Sequence, residues 1–155
     1  EKIMLSRPNA GYTSITVNDV YVGTASYTDD VPVILMGYFT DILQQHNDDT
    51  CVNISLDAEG YSIGLLVFDE YLYAVSNNTD DGLLTHGIMP YQGLETCVSL
   101  ARELADDVRM YMDDWVLWDP AVSFDDLGHE VSNTPLMNER KLALESMAAN
   151  LESLL

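Results

Sequence analysis

Apolar residues in the second half of the chain repeat at the spacing of an α-helix. The repeat proceeds in steps of four and three through Leu94, Val98, Ala101, Ala105, Val108, Met112 and Trp115. This spacing places one continuous apolar stripe on one side of a helix of about six turns. A stripe of that length must be buried, so it predicts a helix over residues 94–118, ended by Asp119-Pro120, on which the rest of the chain packs.

The remaining elements are, in order, a hairpin (14–27), a helix (31 to about 46), a meander of three or four strands (51–89) and a last helix (134–155). Valine, threonine and tyrosine on both sides of Asn18-Asp19 indicate the hairpin. Pro32 and Pro135 suit the first turns of the two helices, and Thr134 suits the cap of the last one. The order predicts an α+β fold with two or three helices on one face of an antiparallel sheet. We expect one domain over residues 1–155, with residues 1–13 irregular and residues 119–134 a loop.

The amount of large apolar residues excludes two classes of protein. Leu, Ile, Val and Phe make up 43 of the 155 residues, which is too many for a disordered acidic tail. The longest apolar stretches, such as residues 63–68, are much shorter than the roughly 20 residues of a membrane-spanning helix. No basic region followed by an apolar one marks a signal peptide, so we expect a cytoplasmic location.

The charge is strongly one-sided. The chain has 26 acidic and 6 basic residues, a net charge of −20, and no Lys or Arg lies between Arg7 and Arg102. Nucleic acids and anionic membranes are bound through Lys and Arg. We therefore expect no direct binding of nucleic acid and none to a membrane.

The sequence contains no pattern typical of catalysis or metal binding. Cys51 and Cys97 are expected to be small buried residues, with a disulfide between them as the alternative. Residues 77–82 resemble the start of a calcium loop, but Ile88 stands where the bidentate Glu is needed. There is no nucleophile motif of the Gly-x-Ser-x-Gly type. We predict a protein that is not an enzyme and has no cofactor.

Adjacent acidic pairs occur seven times, and their repulsion disfavours folding unless a partner benefits from them. The first interpretation is a surface that binds a basic partner protein, such as a toxin or a nucleic-acid-binding protein. The second is an acidic proteome adapted to high salt, in which case the domain could be enzymatic. The third is a calcium-dependent binding module. The predicted contact residues of the first interpretation are Asp80, Asp81, Asp106, Asp107, Asp113, Asp114 and Trp118.

In its size, acidity and predicted fold class, the chain resembles the small acidic immunity proteins and antitoxins of bacteria. The resemblance implies a non-enzymatic inhibitor that neutralises a basic partner. Its oligomeric state is left open.

Overall fold

The computed structural model describes residues 4–45, 52–78, 82–125, 127–130 and 133–155. The described strands and helices are, in chain order, β1 (Tyr12–Val17), β2 (Val20–Ser26), α1 (Val31–Gln45), β3 (Asn53–Asp57), β4 (Ser62–Phe68), β5 (Tyr71–Asn78), β6 (Gly82–Pro90), α2 (Leu94–Met110), α3 (Met112–Val116), α4 (Pro120–Ser123) and α5 (Thr134–Glu152). The predicted α+β class is confirmed.

The strands form two antiparallel sheets. β1 and β2 make a two-stranded sheet, and β3-β4-β5-β6 make a four-stranded meander, so the fourth strand of the prediction is present. Asn18 and Asp19 have φ values of 50° and 63°. Positive φ at both central residues is typical of a type I′ turn, whose twist matches that of the two strands it joins. The hairpin prediction is therefore confirmed, including its turn.

The segment before β1 is more regular than expected. Leu5 forms a bridge with Ile15, and Thr16 N donates to Met4 O at 2.9 Å. Residues 4–6 thus run antiparallel along β1 as a short extra strand. The sequence of this segment has no alternation that would have indicated pairing, because only a few residues take part.

The hairpin packs on the inner face of the four-stranded sheet. β2 contacts β3, β4 and β5, while α1 contacts α2 and α5. At Gly23 the hairpin comes so close to the sheet that a Cβ atom would lie 2.6 Å from Ile63 Cγ2. Only glycine allows this approach, which closes the core between the two sheets.

The predicted long helix is interrupted. Tyr111 has φ −113° and ψ 32°, and it separates α2 from α3. Asp113 and Asp114 occupy the first turn of α3, where carboxylates interact favourably with the helix dipole. The apolar stripe continues across the break because Met112 and Trp115 remain buried, so periodicity alone does not reveal it.

The segment after α3 also differs in detail. Part of the predicted loop forms α4, and the Asp119 side chain accepts a hydrogen bond from Ala121 N at its start. The cap of α5 is Asn133, whose side chain accepts from Leu136 N, so Thr134 is the first helical residue instead of the cap.

β3 is an edge strand, and side chains from other segments bind the backbone on its side away from β4. Asn53 N donates to Tyr38 Oη at 2.7 Å, and Asp57 N donates to Asp29 Oδ2 at 2.7 Å. Two outward backbone N–H groups of this edge strand are therefore already bonded within the molecule.

Candidate functional site

The acidic residues predicted on the long helix do not form one free acidic face. Asp106 is exposed and has no hydrogen-bond or ion-pair partner within the described residues. Asp113 Oδ1 accepts from Lys141 Nζ at 3.1 Å, and Asp114 Oδ2 accepts from Arg7 Nε at 2.8 Å. Two of these three carboxylates are thus paired with a cation of the same chain.

Asp107 does not belong to an external surface. It is 6% exposed, and its Oδ2 atom accepts hydrogen bonds from Met4 N and Leu5 N, both at 2.9 Å. The carboxylate therefore fixes the N-terminal segment to α2. Its role is structural because a buried charge needs such hydrogen bonds to offset its desolvation.

Trp118 is also internal. It is 4% exposed, and its Nε1–H donates to Asp29 O at 2.9 Å. Its ring lies 5.1 Å from that of Trp115, measured between centroids, and Trp115 is completely buried as predicted. Trp118 is therefore part of the core, and little of its side chain is accessible to a partner.

Several predictions lie outside the described residues. These are Asp80 and Asp81, the disulfide alternative at Cys51, and residues 79–81 of the calcium-like segment 77–82. Cys97 is completely buried, as expected for a small apolar residue in the core, and its Sγ lies 3.3 Å from Tyr91 Oη.

The described cations lie on the helical side and are largely paired there. Arg140 is the most buried of them, with a side chain 9% exposed. It donates two hydrogen bonds to Asp30 and two to Trp115 O. Arg109 pairs with Glu152 at 2.6 Å. Among the described cations only Arg102 has no such pair, so the helical side is partly neutralised.

One face of the four-stranded sheet carries apolar and aromatic side chains instead of ion pairs. We call it the outer face and define it by the side chains of Leu66, Phe68, Tyr71, Tyr73 and Val75. Cross-strand pairing of Leu66 with Tyr73 and of Phe68 with Tyr71 places them on one face, opposite buried Leu65 and Leu72. Phe68 is 70% exposed and Leu66 is 40% exposed. The two tyrosine rings lie 5.4 Å apart. The result is an apolar and aromatic face of exposed and half-exposed side chains that none of the described segments covers.

Acidic turns border one end of this face. Asp69 and Glu70 join β4 to β5 with φ values of 50° and 62°. Asn18 Nδ2 donates to Ile88 O at 3.1 Å, which brings the turn containing Asp19 to the same end of the sheet. No Lys or Arg occurs from residue 8 to residue 101, so these carboxylates have no cation on their own elements.

At the opposite end of the sheet the carboxylates are bonded inside the molecule. Tyr12 Oη donates to Glu59, and Thr28 Oγ1 donates to Asp57 Oδ2. The Tyr12 hydrogen bond is the main reason why the pKa of Glu59 is lowered and the pKa of Tyr12 is raised. These groups hold the hairpin against the sheet.

A cleft of about 820 Å³ lies between the N-terminal segment and the region around α4. We call it the α4 cleft. Pro8 to Gly11 and Tyr27 form one side, and Leu117, Pro120 and Phe124 form the other. Its charged lining residues among those described are Asp114 and Glu130.

The loop after α4 is organised by Asp125. Its carboxylate accepts hydrogen bonds from Leu127 N and His129 N, and lies 3.2 Å from His129 Nδ1. The bond from His129 N is the largest cause of the lowered pKa of Asp125. This arrangement closes a turn between Asp125 and His129.

No group of three or more His, Cys, Asp and Glu side chains that could hold a metal ion is found in the described parts of the chain. None of the described helices has the length and apolar character needed to cross a membrane. Comparisons with protein-family models, with curated proteins and with solved structures gave no match.

The predicted contact residues include none of the outer face, although the sequence carries a signal for it. In β4 both alternating sets are apolar: Ile63 and Leu65 on one side, Leu66 and Phe68 on the other. Such a pattern is typical of a strand covered on both faces. In a meander whose other face is covered by the hairpin, it indicates a second apolar face that a partner could cover.

Proposed function

We propose that the protein is a non-enzymatic binding protein that captures a basic protein through the outer face and its bordering acidic turns. The observation that carries the proposal is the combination of an uncovered aromatic face with carboxylates that have no Lys or Arg on their own elements. The proposed contact surface therefore lies on the sheet, whereas the sequence interpretation placed it on the predicted long helix and on the turn with Asp80 and Asp81.

The composition of the face fits an interface. Interfaces have apolar and aromatic residues at the centre and polar residues around them. Phe68 and Leu66 would serve as anchors, and Asp19, Asp69 and Glu70 would attract a positive partner and set its orientation. A second copy of this chain fits poorly, since two molecules of charge −20 repel each other.

Capture of this kind would make the protein an inhibitor if the partner's own site is positive. An enzyme that acts on nucleic acid needs Lys and Arg at its substrate site. Carboxylates seated there would occupy the places of phosphates. This is the mode of action expected of an immunity protein or antitoxin.

The test is affinity capture from cells of the source organism with the immobilised protein, followed by measurement of Kd with the purified captured protein. We expect a basic protein that is bound at about 50 mM salt and released as salt rises. Phe68→Ser should weaken binding at least about tenfold, as for a central anchor. Asp69→Lys should weaken binding more at low salt than at high salt.

Two matched variants serve as controls. Leu142 on α5 is 68% exposed, nearly as much as Phe68, so Leu142→Ser removes a comparable apolar side chain elsewhere. Asp113→Lys makes the same charge change on the helical side. Equal effects of Phe68→Ser and Leu142→Ser, or capture that is indifferent to salt, would contradict the proposal and favour acidity as an adaptation to high salt.

A further inference from the structure

The α4 cleft combines apolar walls with carboxylates at its edge. Tyr27, Leu117 and Phe124 are each about half exposed, so their apolar surfaces are accessible from the cleft. Trp118 lies beneath them and is held by its hydrogen bond to Asp29 O. The volume of about 820 Å³ is within the range of sites that hold a small molecule or a short peptide segment.

The charges of the cleft favour a cation. Asp114 and Glu130 are the charged residues that line it in the described part of the chain, and both are acidic. Asp114 Oδ2 is bonded to Arg7, while no ion pair of Glu130 is found with the described cations. A positively charged group entering the cleft would therefore meet a carboxylate that has no cation of its own.

Arg7 shows how this region binds a guanidinium group. Its Nε lies 2.8 Å from Asp114 Oδ2, and its guanidinium carbon lies 6.0 Å from the centroid of the Tyr111 ring. A carboxylate on one side and an aromatic ring on the other are the two contacts that arginine makes better than lysine. Glu130, Phe124 and Tyr27 line the same cleft and supply the same two kinds of group, a carboxylate and aromatic rings.

We infer that the α4 cleft binds an arginine side chain of a basic polypeptide. The inference rests on the proposed function in taking the partner to be a basic protein, and it adds a second contact with defined chemistry. The apolar walls would contact the methylene stem of the arginine, and Asp114 and Glu130 would bind its guanidinium group.

The experiment uses the whole protein and two peptides that differ only in charge. Acetyl-Gly-Arg-Gly-amide is titrated at low salt and followed by amide chemical shifts in NMR, and the citrulline peptide supplies the same shape without the charge. We expect shifts at Gly11, Leu117 and Phe124, and binding of the citrulline peptide at least about fivefold weaker. Equal binding of the two peptides, or shifts away from the cleft, would overturn the inference.

Three variants sharpen the test. Glu130→Gln should weaken binding about two- to fivefold, the effect of one exposed ion pair. Arg7→Ala should strengthen it by a similar factor because it frees Asp114. Arg102→Ala removes the same charge from an exposed site on α2 and should change binding little. An Arg7→Ala variant that binds no better than Arg102→Ala would contradict the assignment of Asp114.

The two proposals fail separately. If the arginine peptide leaves the cleft unchanged while a basic protein still binds through Phe68, the cleft inference is wrong and the proposed function stands. If the peptide binds in the cleft as described but Phe68→Ser leaves capture unchanged, the outer face is wrong as the contact surface.

Discussion

Replacing Asp107 by alanine should destabilise the protein strongly, although the side chain belongs to one of the adjacent acidic pairs. Its carboxylate bonds two consecutive backbone N–H groups, those of Met4 and Leu5, and both residues are completely buried. Without it, two buried donors remain without a partner. We expect the free energy of unfolding to fall by about 3–5 kcal/mol, from two hydrogen bonds to a charged group.

The neighbouring residue provides the control. Asp106 is on the same turn of α2 and exposed, so Asp106→Ala removes the same charge and should change stability by less than about 0.5 kcal/mol. For a chain of this size, about 2–4 °C in Tm corresponds to each kcal/mol, so Asp107→Ala should lower Tm by roughly 6–20 °C. Asp107→Asn keeps an oxygen acceptor and should fall between the two.

Urea denaturation followed by circular dichroism measures these differences. Hydrogen exchange adds a local readout, because the amides of Met4 and Leu5 should lose protection in Asp107→Ala and keep it in Asp106→Ala. Equal stability of the two alanine variants would refute the structural role of Asp107 and return it to the candidate surface residues.

Three further predictions concern stability and titration. Glu70→Gly should raise the free energy of unfolding by about 0.5–1 kcal/mol, measured in urea, because φ is 62° at this turn position and glycine adopts it without strain. Tyr12→Phe should raise the pKa of Glu59 towards its ordinary value, measured by carboxyl carbon NMR, because the tyrosine hydroxyl is the main cause of its lowering. Arg140→Ala should cost about 2–3 kcal/mol in thermal or urea unfolding, since it removes a largely buried ion pair.

Each of these has a control within the chain. Glu95→Gly in the first turn of α2 should lower the free energy of unfolding. If it raised the free energy of unfolding as Glu70→Gly does, the positive φ of Glu70 would not be the cause of the gain. Tyr21→Phe should leave the pKa of Glu59 unchanged. Lys141→Ala breaks an exposed pair beside Arg140 and should cost less than about 1 kcal/mol. Equal losses of unfolding free energy in Arg140→Ala and Lys141→Ala would contradict burial as the reason for the large effect of Arg140.

The titration of Glu59 also gives a direction for acid unfolding. Its pKa is lower in the folded protein than the ordinary value of about 4.3. Its contribution to stability is therefore complete above that value and is lost as the pH falls through the folded-state pKa. In Tyr12→Phe this part of the acid dependence should diminish.

Local patterns predicted the elements well because each depends on neighbouring residues. The hairpin turn at Asn18-Asp19, the start of α1 at Val31 and the fourth strand of the meander follow from turn residues, caps and alternation. The break at Tyr111 was missed because an apolar stripe is indifferent to one residue that leaves the helical conformation.

The candidate site was predicted less well, because exposure depends on contacts between distant segments. Asp106 and Asp107 are adjacent, and their sequence neighbours do not distinguish them. The difference comes from the N-terminal segment, because Met4, 103 residues away from Asp107, donates a hydrogen bond to Asp107 only. Likewise Trp118 is internal because it reaches the carbonyl of Asp29. The paired state of Asp113 and Asp114 also depends on residues from α5 and the N-terminal segment.

The side chains along β3 limit how such molecules can assemble. A strand of a neighbouring molecule would need the outward N–H groups that Tyr38 and Asp29 already bind. A neighbouring strand would have to displace these two side chains before it could pair with β3 at Asn53 and Asp57. The hydrogen bonds that hold α1 and the segment before it beside the sheet thus also disfavour addition of a foreign strand at this border.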